Sequence, residues 1–183
     1  MKPLLTAILI LTAAPAAAQD YAAAPSVSAR PDPGQSGGSV SASIDIKAPP
    51  QAVWWALTDC AGAPRYMPKL ISCRVVQKGP GWEIREHKIK GPVFHPVMTS
   101  QFRANLDPPK SLAFHRTGGD WKRSEGEWRL APIDGGKGTH VTYRISAAVS
   151  GPVPSGMMRS SIASGVKESM LALRRESMAR GKG

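Results

Sequence analysis

Histidine is the residue type in this chain best suited to acid–base or metal chemistry near neutral pH, and it occurs four times. His87, His95, His115 and His140 fall on separate predicted strands or turns, and none stands in an H-x-x-x-H, H-E-x-x-H or C-x-x-C pattern. No G-x-S-x-G, Walker or G-x-G-x-x-G pattern stands between a predicted strand and a helix. We therefore predict no metal site and no cofactor, and we assign no catalytic residue.

Carboxylates at strand spacing are a second source of acid–base chemistry. They alternate with basic side chains, so we interpret both sets as a solvated sheet face. The residues are Glu83, Glu86, Glu125 and Glu127 with Arg85, Lys88, Arg123 and Arg129.

The N-terminal segment predicts export. Met1 and Lys2 form a short positive start, an apolar run follows over 4–11, and Ala16-Ala17-Ala18 offers a small-residue cleavage pattern. We predict a cleaved signal peptide over 1–18, which makes the protein periplasmic or secreted, with a mature chain starting at or near Gln19. The alternative is an uncleaved anchor, for which the apolar run is short.

We predict a flexible linker over 19–39, which is rich in Pro, Gly, Ser and Ala, and a single folded domain over 40–183.

Export gives the two cysteines a meaning, because disulfides persist in oxidising compartments. Cys60 and Cys73 are 13 residues apart in the sequence, and a bridge between them would stabilise the fold by about 3 kcal/mol through the unfolded state. We predict this disulfide. Two buried, unpaired thiols are the alternative.

The formal net charge of +11 makes anionic surfaces candidate partners. We expect no nucleic-acid partner, because export removes the chain from nucleic acid and no basic, aromatic-bearing module is recognisable. Transient contact with an anionic membrane surface and a merely well-solvated surface both remain open. We expect a monomer.

Periodicity predicts the elements that position these residues. Val40, Ala42, Ile44 and Ile46 alternate with polar residues, which indicates a half-buried strand. A short helix follows from Pro50, and a second short helix or turn lies within 60–68. Turn-forming residues then separate six more strands, and short connections of this kind make antiparallel pairs. We place these strands at about 70–78, 82–90, 93–107, 111–117, 121–131 and 138–149.

A long amphipathic helix is predicted over 155–180, where apolar residues recur every three or four positions. The stripe consists of Met158, Ile162, Val166, Met170 and Leu173.

Short phrases in the same order as these elements carry a family resemblance. They are Ile46-Lys47-Ala48-Pro49-Pro50-Gln51-Ala52-Val53-Trp54 with Leu57-Thr58-Asp59, Arg65-Tyr66-Met67-Pro68, Gly119-Asp120-Trp121, Glu125-Gly126-Glu127-Trp128-Arg129-Leu130, Gly138-Thr139-His140-Val141-Thr142-Tyr143-Arg144 and Leu171-Ala172-Leu173-Arg174-Arg175-Glu176. Over about residues 40–180 the chain resembles the helix-grip superfamily of START-like, or SRPBCC, domains, in particular its polyketide cyclase/dehydrase and coenzyme Q-binding branch. The resemblance implies an α+β fold in which a curved antiparallel seven-stranded sheet wraps around the long C-terminal helix, with two short helices after the first strand.

A curved sheet around one helix leaves a cavity unless side chains fill it, and small or flexible residues on the predicted helix favour an open one. Close helix–sheet packing is the alternative. The segment 151–156 is a candidate gate. The candidate cavity wall is Trp54, Met98, Phe102, Phe114, Trp128, Tyr143, Met158, Ile162 and Val166.

Two classes of function follow from the resemblance. The first is an exported, non-catalytic carrier for a hydrophobic small molecule such as a lipid, an isoprenoid quinone or a hopanoid-like compound. The second is a polyketide cyclase or dehydratase that uses the same cavity, with Tyr143, His115 or Arg129 orienting or protonating the substrate. An accessory protein with a filled cavity is a third alternative.

Overall fold

The computed structural model describes residues 19–31, 37–91, 97–149 and 154–181. Within these ranges the chain forms eight strands, two α-helices and two 3-10 turns. The strands are β1 Ser26–Pro31, β2 Gly37–Ile46, β3 Leu70–Gly79, β4 Trp82–Lys90, β5 Val97–Asp107, β6 Ser111–Gly119, β7 Trp121–Ile133 and β8 Gly138–Val149. The helices are α1 Pro50–Thr58 and α2 Ser155–Arg180, and the 3-10 turns are Ala63–Arg65 and Asp134–Gly136.

All described strands belong to one antiparallel sheet in the order β1-β2-β8-β7-β6-β5-β4-β3. From β3 to β8 each strand pairs with the next in sequence, as the short predicted turns require. The register shifts within the β3–β4, β5–β6 and β7–β8 pairs, and such irregularities bend strands. The α+β helix-grip prediction is confirmed, with α2 and the short α1 packed on the sheet.

The sheet has one strand more than the seven predicted, because residues 26–31 are not the flexible linker that their composition indicates. They form β1, which pairs with β2 from Ser26 opposite Ser43 to Pro31 opposite Gly38. Backbone ladder bonds replace the missing apolar residues, and a proline is tolerated at the end of an edge strand. Pro25 is buried, and the Arg174 guanidinium on α2 donates a hydrogen bond to the Ala23 carbonyl at 2.6 Å. The predicted signal peptide lies outside the described residues.

The core lies where β2 meets the two helices. Inward side chains of β2, including Val40 and Ile46, are buried, as the alternation predicts. On α2 the deepest apolar residues are Met170 and Leu173, both fully buried. Because they belong to the C-terminal half of α2, this half of the helix is the part that is fixed to the body of the fold. No helix in the described ranges combines the length and apolar character that crossing a membrane requires.

An ion-pair cluster fixes the C-terminal end of α2 to the turn after α1. The Asp59 carboxylate accepts hydrogen bonds from the Gly62 N–H at 2.9 Å, from Arg65 at 3.0 Å and from Arg180 at 2.5 Å. Arg65 also donates to Glu176 on α2 at 2.9 Å. The Gly62 N–H, followed by the two arginines, lowers the pKa of Asp59 below its usual value. The cluster therefore joins the turn after α1 to the end of α2.

The segment between α1 and β3 is tied down in two further ways. A disulfide joins Cys60 to Cys73 on β3, with the two Cα atoms 5.3 Å apart. The hydroxyl of the buried Tyr66 donates to the Leu57 carbonyl at 2.9 Å. These contacts position residues 66–69 against the sheet, where they border the space described next.

Candidate functional site

A cavity of about 400 Å³ lies between the sheet and the N-terminal half of α2. Its volume is within the range of small-molecule sites. α2 packs its backbone against α1, β1 and β2, while β4, β5, β6, β7 and β8 contribute the opposite wall of the cavity.

A continuous row of five rings forms the sheet side of the cavity. His87 meets Phe102 edge-on with centroids 4.7 Å apart, and Phe102 meets Phe114 at 5.6 Å. Phe114 is 6.3 Å from Tyr143, which stacks on Trp128 at 3.8 Å. Each ring comes from a different strand, so the row crosses the sheet from β4 to β8 and gives the cavity a broad aromatic surface.

Gly126 makes room for this row. It lies opposite Phe114 on the neighbouring strand, and a Cβ added there would be 2.8 Å from the Phe114 ring and 2.2 Å from the Arg144 carbonyl oxygen. The sequence predicts that this glycine permits the close approach of a neighbour, and the structure identifies the neighbour as an aromatic ring of the cavity wall.

The β4 end of the cavity is lined by buried polar side chains. Arg85 and His87 share the inner face of β4 and are 4% and 5% exposed. Ser100, opposite His87 on β5, and Ser124 on β7 also line the cavity and are buried. A mostly apolar space with a few convergent polar groups is the usual composition of a small-molecule site.

The Arg85 charge is compensated within the wall. Its Nε donates to the Glu83 carboxylate at 2.5 Å and its Nη2 donates to the Thr58 carbonyl at 3.2 Å. The Glu83 side chain is itself only 15% exposed. Arg85 and Glu83 therefore form a shielded ion pair, and Arg85 does not present an uncompensated charge.

His87 is uncharged at neutral pH. Burial, followed by the positive charge of Arg85, lowers its pKa from 6.5 to about 3. Its Nε2 atom is buried and has no hydrogen-bond partner among the described residues. Burying a polar atom unpaired is unfavourable, and such atoms are uncommon in folded proteins.

Two phenols in the wall also remain protonated. Burial raises the pKa of Tyr66 to about 12, and burial also raises the pKa of Tyr143 above its usual value. Both hydroxyls are therefore neutral, and a neutral phenol can donate a hydrogen bond.

The α2 side of the cavity is loosely packed. Met158 and Ile162 are partly exposed, whereas Val166 is buried. Gly165 lines the cavity, and a Cβ added there would meet no atom within 4 Å. Met157, just outside the lining, is 67% exposed. The predicted gate over 151–156 lies partly outside the described residues, which resume at 154.

Seven of the nine predicted wall residues line the cavity, and two do not. The seven are Phe102, Phe114, Trp128, Tyr143, Met158, Ile162 and Val166. Trp54 is instead buried in the core on α1. Met98, near the start of β5, is not among the lining residues, although its partner Ile89 on β4 is.

The polar residues Arg85, His87 and Ser100 are functional candidates that sequence reasoning missed. Arg85 was predicted on a solvated face, and that prediction is wrong because β4 turns this side chain inward. The other face of β4 is outward, where the Arg103 guanidinium stacks over Trp82 at 4.1 Å. A period of two places Arg85 and His87 on one face, but it does not say which face is covered.

The side chains considered for catalysis do not converge. Tyr143 lines the cavity, whereas His115 is exposed on β6. Arg129 is also exposed, and its Nε donates a hydrogen bond to the Glu127 carboxylate at 2.7 Å. His140 is 2.6 Å from Asp45 and away from the lining. His95 lies outside the described residues. In the part of the chain that the structure describes, no three His, Cys, Asp or Glu side chains come together in a way that could bind a metal ion.

Comparison with known proteins agrees with the fold. A family model described as polyketide cyclase / dehydrase and lipid transport matches residues 46–173. Among curated proteins, no sequence matches the chain.

Solved structures share the fold at low sequence identity. A STAR-related lipid transfer protein from Xanthomonas axonopodis is 17% identical, with a TM-score of 0.72 over 89% of this chain and 97% of that one. The human StarD13 lipid transfer and protein localization domain is 13% identical, with a TM-score of 0.67 over 86% of each chain. An aromatase/cyclase from Streptomyces is 17% identical, with a TM-score of 0.63 over 79% of this chain and 93% of that one. Identities this low support a shared fold only.

The environment of His87 predicts a specific pH dependence of stability. Below its ordinary pKa of 6.5 the unfolded imidazole takes up a proton, whereas the folded one stays neutral down to about pH 3. The stability that neutral His87 provides is therefore complete above the unfolded pKa and is lost as the pH falls toward the folded pKa. Between about pH 7 and about pH 5, the wild type should lose about 2 kcal/mol more unfolding free energy than His87→Leu.

Urea unfolding of both proteins at the two pH values measures this difference. His115→Leu, the same change at an exposed histidine, is the control and should follow the wild type. Equal losses in the wild type and His87→Leu would contradict a buried, neutral His87.

Proposed function

The chain belongs to the polyketide cyclase/dehydrase and lipid transport family, and on that premise we propose that it is an exported carrier for a hydrophobic small molecule such as a lipid or an isoprenoid quinone. The ligand occupies the cavity between the sheet and α2. The observation that carries this proposal is the 400 Å³ space lined by the aromatic row.

The affinity of such a carrier comes mainly from burying apolar surface. Removing roughly 300 Å² of apolar ligand surface from water contributes about 7 kcal/mol. The loss of ligand translation, rotation and flexibility opposes binding by several kcal/mol. Apolar burial alone therefore gives moderate affinity, which suits a molecule that must also release its cargo.

The loosely packed half of α2 is the route of entry in this proposal. Met158 and Ile162 are partly exposed at the rim, and the exposed Met157 extends the apolar surface outward. Methionine side chains adapt to ligands of irregular shape. The C-terminal half of α2 stays fixed by its buried residues and the Asp59 cluster.

Export and membrane contact complete the proposal. The disulfide between Cys60 and Cys73 is consistent with an oxidising compartment. The formal net charge of the full sequence is +11, of which the predicted signal peptide contributes only Lys2, and this charge favours a transient encounter with an anionic membrane surface, from which a ligand could be loaded. The ligand is a small molecule, and no nucleic-acid partner is proposed.

A cyclase that uses the same cavity is the second candidate. The observation that favours it is Tyr143, a buried phenol that lines the cavity and stays protonated. A protonated phenol can act as a general acid or orient a carbonyl. Against it, His115 and Arg129, the other two residues considered for catalysis, are outside the lining.

Filling the cavity should block binding without unfolding the protein. Gly165 lines the cavity, and a Cβ added there meets no atom within 4 Å, so Gly165→Phe introduces a ring at an open part of the wall. We expect this substitution to weaken binding of the neutral fluorescent reporter N-phenyl-naphthylamine by about tenfold or more, because the added ring occupies space that the reporter would fill. Fluorescence titration of the purified protein measures the affinity.

Gly165→Ala is the matched control, because it changes the same position but leaves most of the space open. Its affinity should stay close to that of the wild type. Unchanged binding by Gly165→Phe would place the reporter outside the cavity and contradict the proposal.

Membrane contact has its own test, in which the reporter is supplied from lipid vesicles. Uptake by the protein should be faster from anionic than from neutral vesicles at low salt, and a rate independent of lipid charge would remove membrane contact from the proposal.

Export makes a separate prediction about the mature chain. Expressed in a bacterium, the full chain should be recovered from the periplasm or the medium with its N-terminus at or near Gln19. Sequencing of the N-terminus and fractionation of the cells check this. Intact Met1 on protein retained in the cytoplasm would contradict export.

A further inference from the structure

The β4 end of the cavity has features that storage of a plain hydrocarbon does not require. Three alternate residues of β4, namely Glu83, Arg85 and His87, share the face that borders the cavity or its wall. Two of them are more than nine-tenths buried. A purely apolar ligand would gain from apolar residues at these positions, because buried polar groups are favourable only when they are paired.

The buried Arg85 side chain has hydrogen-bond partners, whereas Nε2 of the buried His87 has none among the described residues. Arg85 donates to Glu83 and to the Thr58 carbonyl, so it is part of a satisfied pair. His87 contacts Phe102 by its ring edge and leaves Nε2 without a partner among the described residues. A buried polar atom without a partner in a cavity wall is explained if a ligand supplies the partner.

We propose that the β4 end of the cavity is a head-group subsite, in which the His87 imidazole hydrogen-bonds a single uncharged oxygen, an alcohol or a ketone, of an otherwise apolar ligand. This inference rests on the carrier function proposed above. It adds the chemical class of the ligand and its direction in the cavity, with the oxygen at β4 and the hydrocarbon along the aromatic row toward Trp128.

His87 lines the cavity, and its Nε2 is buried without a partner among the described residues. The proposed contact requires the ring to turn about the Cβ–Cγ bond, whose torsional preference is broad in histidine. Ser100 faces His87 across the β4–β5 ladder and lines the same end, so its hydroxyl is available to the same oxygen.

The charges around His87 favour an uncharged oxygen over a carboxylate. The imidazole is neutral because burial and the Arg85 charge keep its pKa low, so it offers hydrogen bonds and no ionic attraction. The Arg85 charge is already compensated by Glu83. Moving a carboxylate into this enclosed site would cost its hydration without supplying a free counter-charge.

The test compares ligands that differ only in the head group. Hexadecanol, hexadecane and palmitate compete with N-phenyl-naphthylamine for the wild type, His87→Leu and His87→Gln. Leucine removes the hydrogen-bonding group and keeps the site apolar, and glutamine places an amide near the position of Nε2. Circular dichroism verifies that each variant is folded.

In the wild type, hexadecanol should bind about tenfold more tightly than hexadecane, which corresponds to about 1.4 kcal/mol. The ratio should fall to near one in His87→Leu and recover in part in His87→Gln. Palmitate should bind more weakly than hexadecanol.

The outcomes separate this inference from the carrier proposal. If His87→Leu keeps the preference for the alcohol, or if palmitate is the tightest ligand, the subsite is overturned while the carrier remains. If the reporter fails to bind the wild type at all, the carrier proposal fails, and the subsite fails with it.

Discussion

The anchoring of one half of α2 is the constraint on which the rest of the structure depends. Met170 and Leu173 are fully buried against the body of the fold, and the Asp59 cluster fixes the end of the helix to the turn after α1. Toward the N-terminus of α2, Met158 and Ile162 are only partly buried and line the cavity. The C-terminal half of the helix thus holds it to the fold, and the N-terminal half forms one wall of the cavity.

The cavity wall divides into an apolar row and a polar end, and both depend on precise neighbours. Gly126 allows the Phe114 ring to lie in line with the other rings. Glu83 keeps the Arg85 charge compensated, and Arg85 in turn helps to keep His87 neutral. A buried imidazole without charge adds polarity at one point of a largely hydrocarbon-like site. Such a site can select among apolar molecules by a single hydrogen bond. A ligand that leaves the buried polar group of the site without a hydrogen bond binds more weakly than one that supplies it.

Much of the fold is predictable from the sequence, because alternation in β2 and β8 and the three-to-four spacing in α2 report directly on which side is covered. β1 is not predictable in this way, since Ser26–Pro31 has little apolar side chain to bury and is held by backbone pairing. The aromatic wall could be predicted because large apolar side chains on the inward face of a sheet lie either in the core or in the wall of a cavity. Arg85 and His87 could not, because polar side chains that face a cavity have the same pattern as polar side chains that face water. Trp54, predicted as part of the wall, belongs to the core on α1.

The central claim is that the cavity beneath α2 binds an apolar ligand in the living cell. The most direct measurement is to identify the molecule that is purified with the protein. Purification from the native host, extraction with organic solvent and mass spectrometry of the extract would do so, with Gly165→Phe purified in parallel as the reference. The account predicts one apolar molecule, close to equimolar with the wild-type chain and strongly depleted in the variant. An extract from the wild type that contains no such molecule above the level in the variant would contradict it.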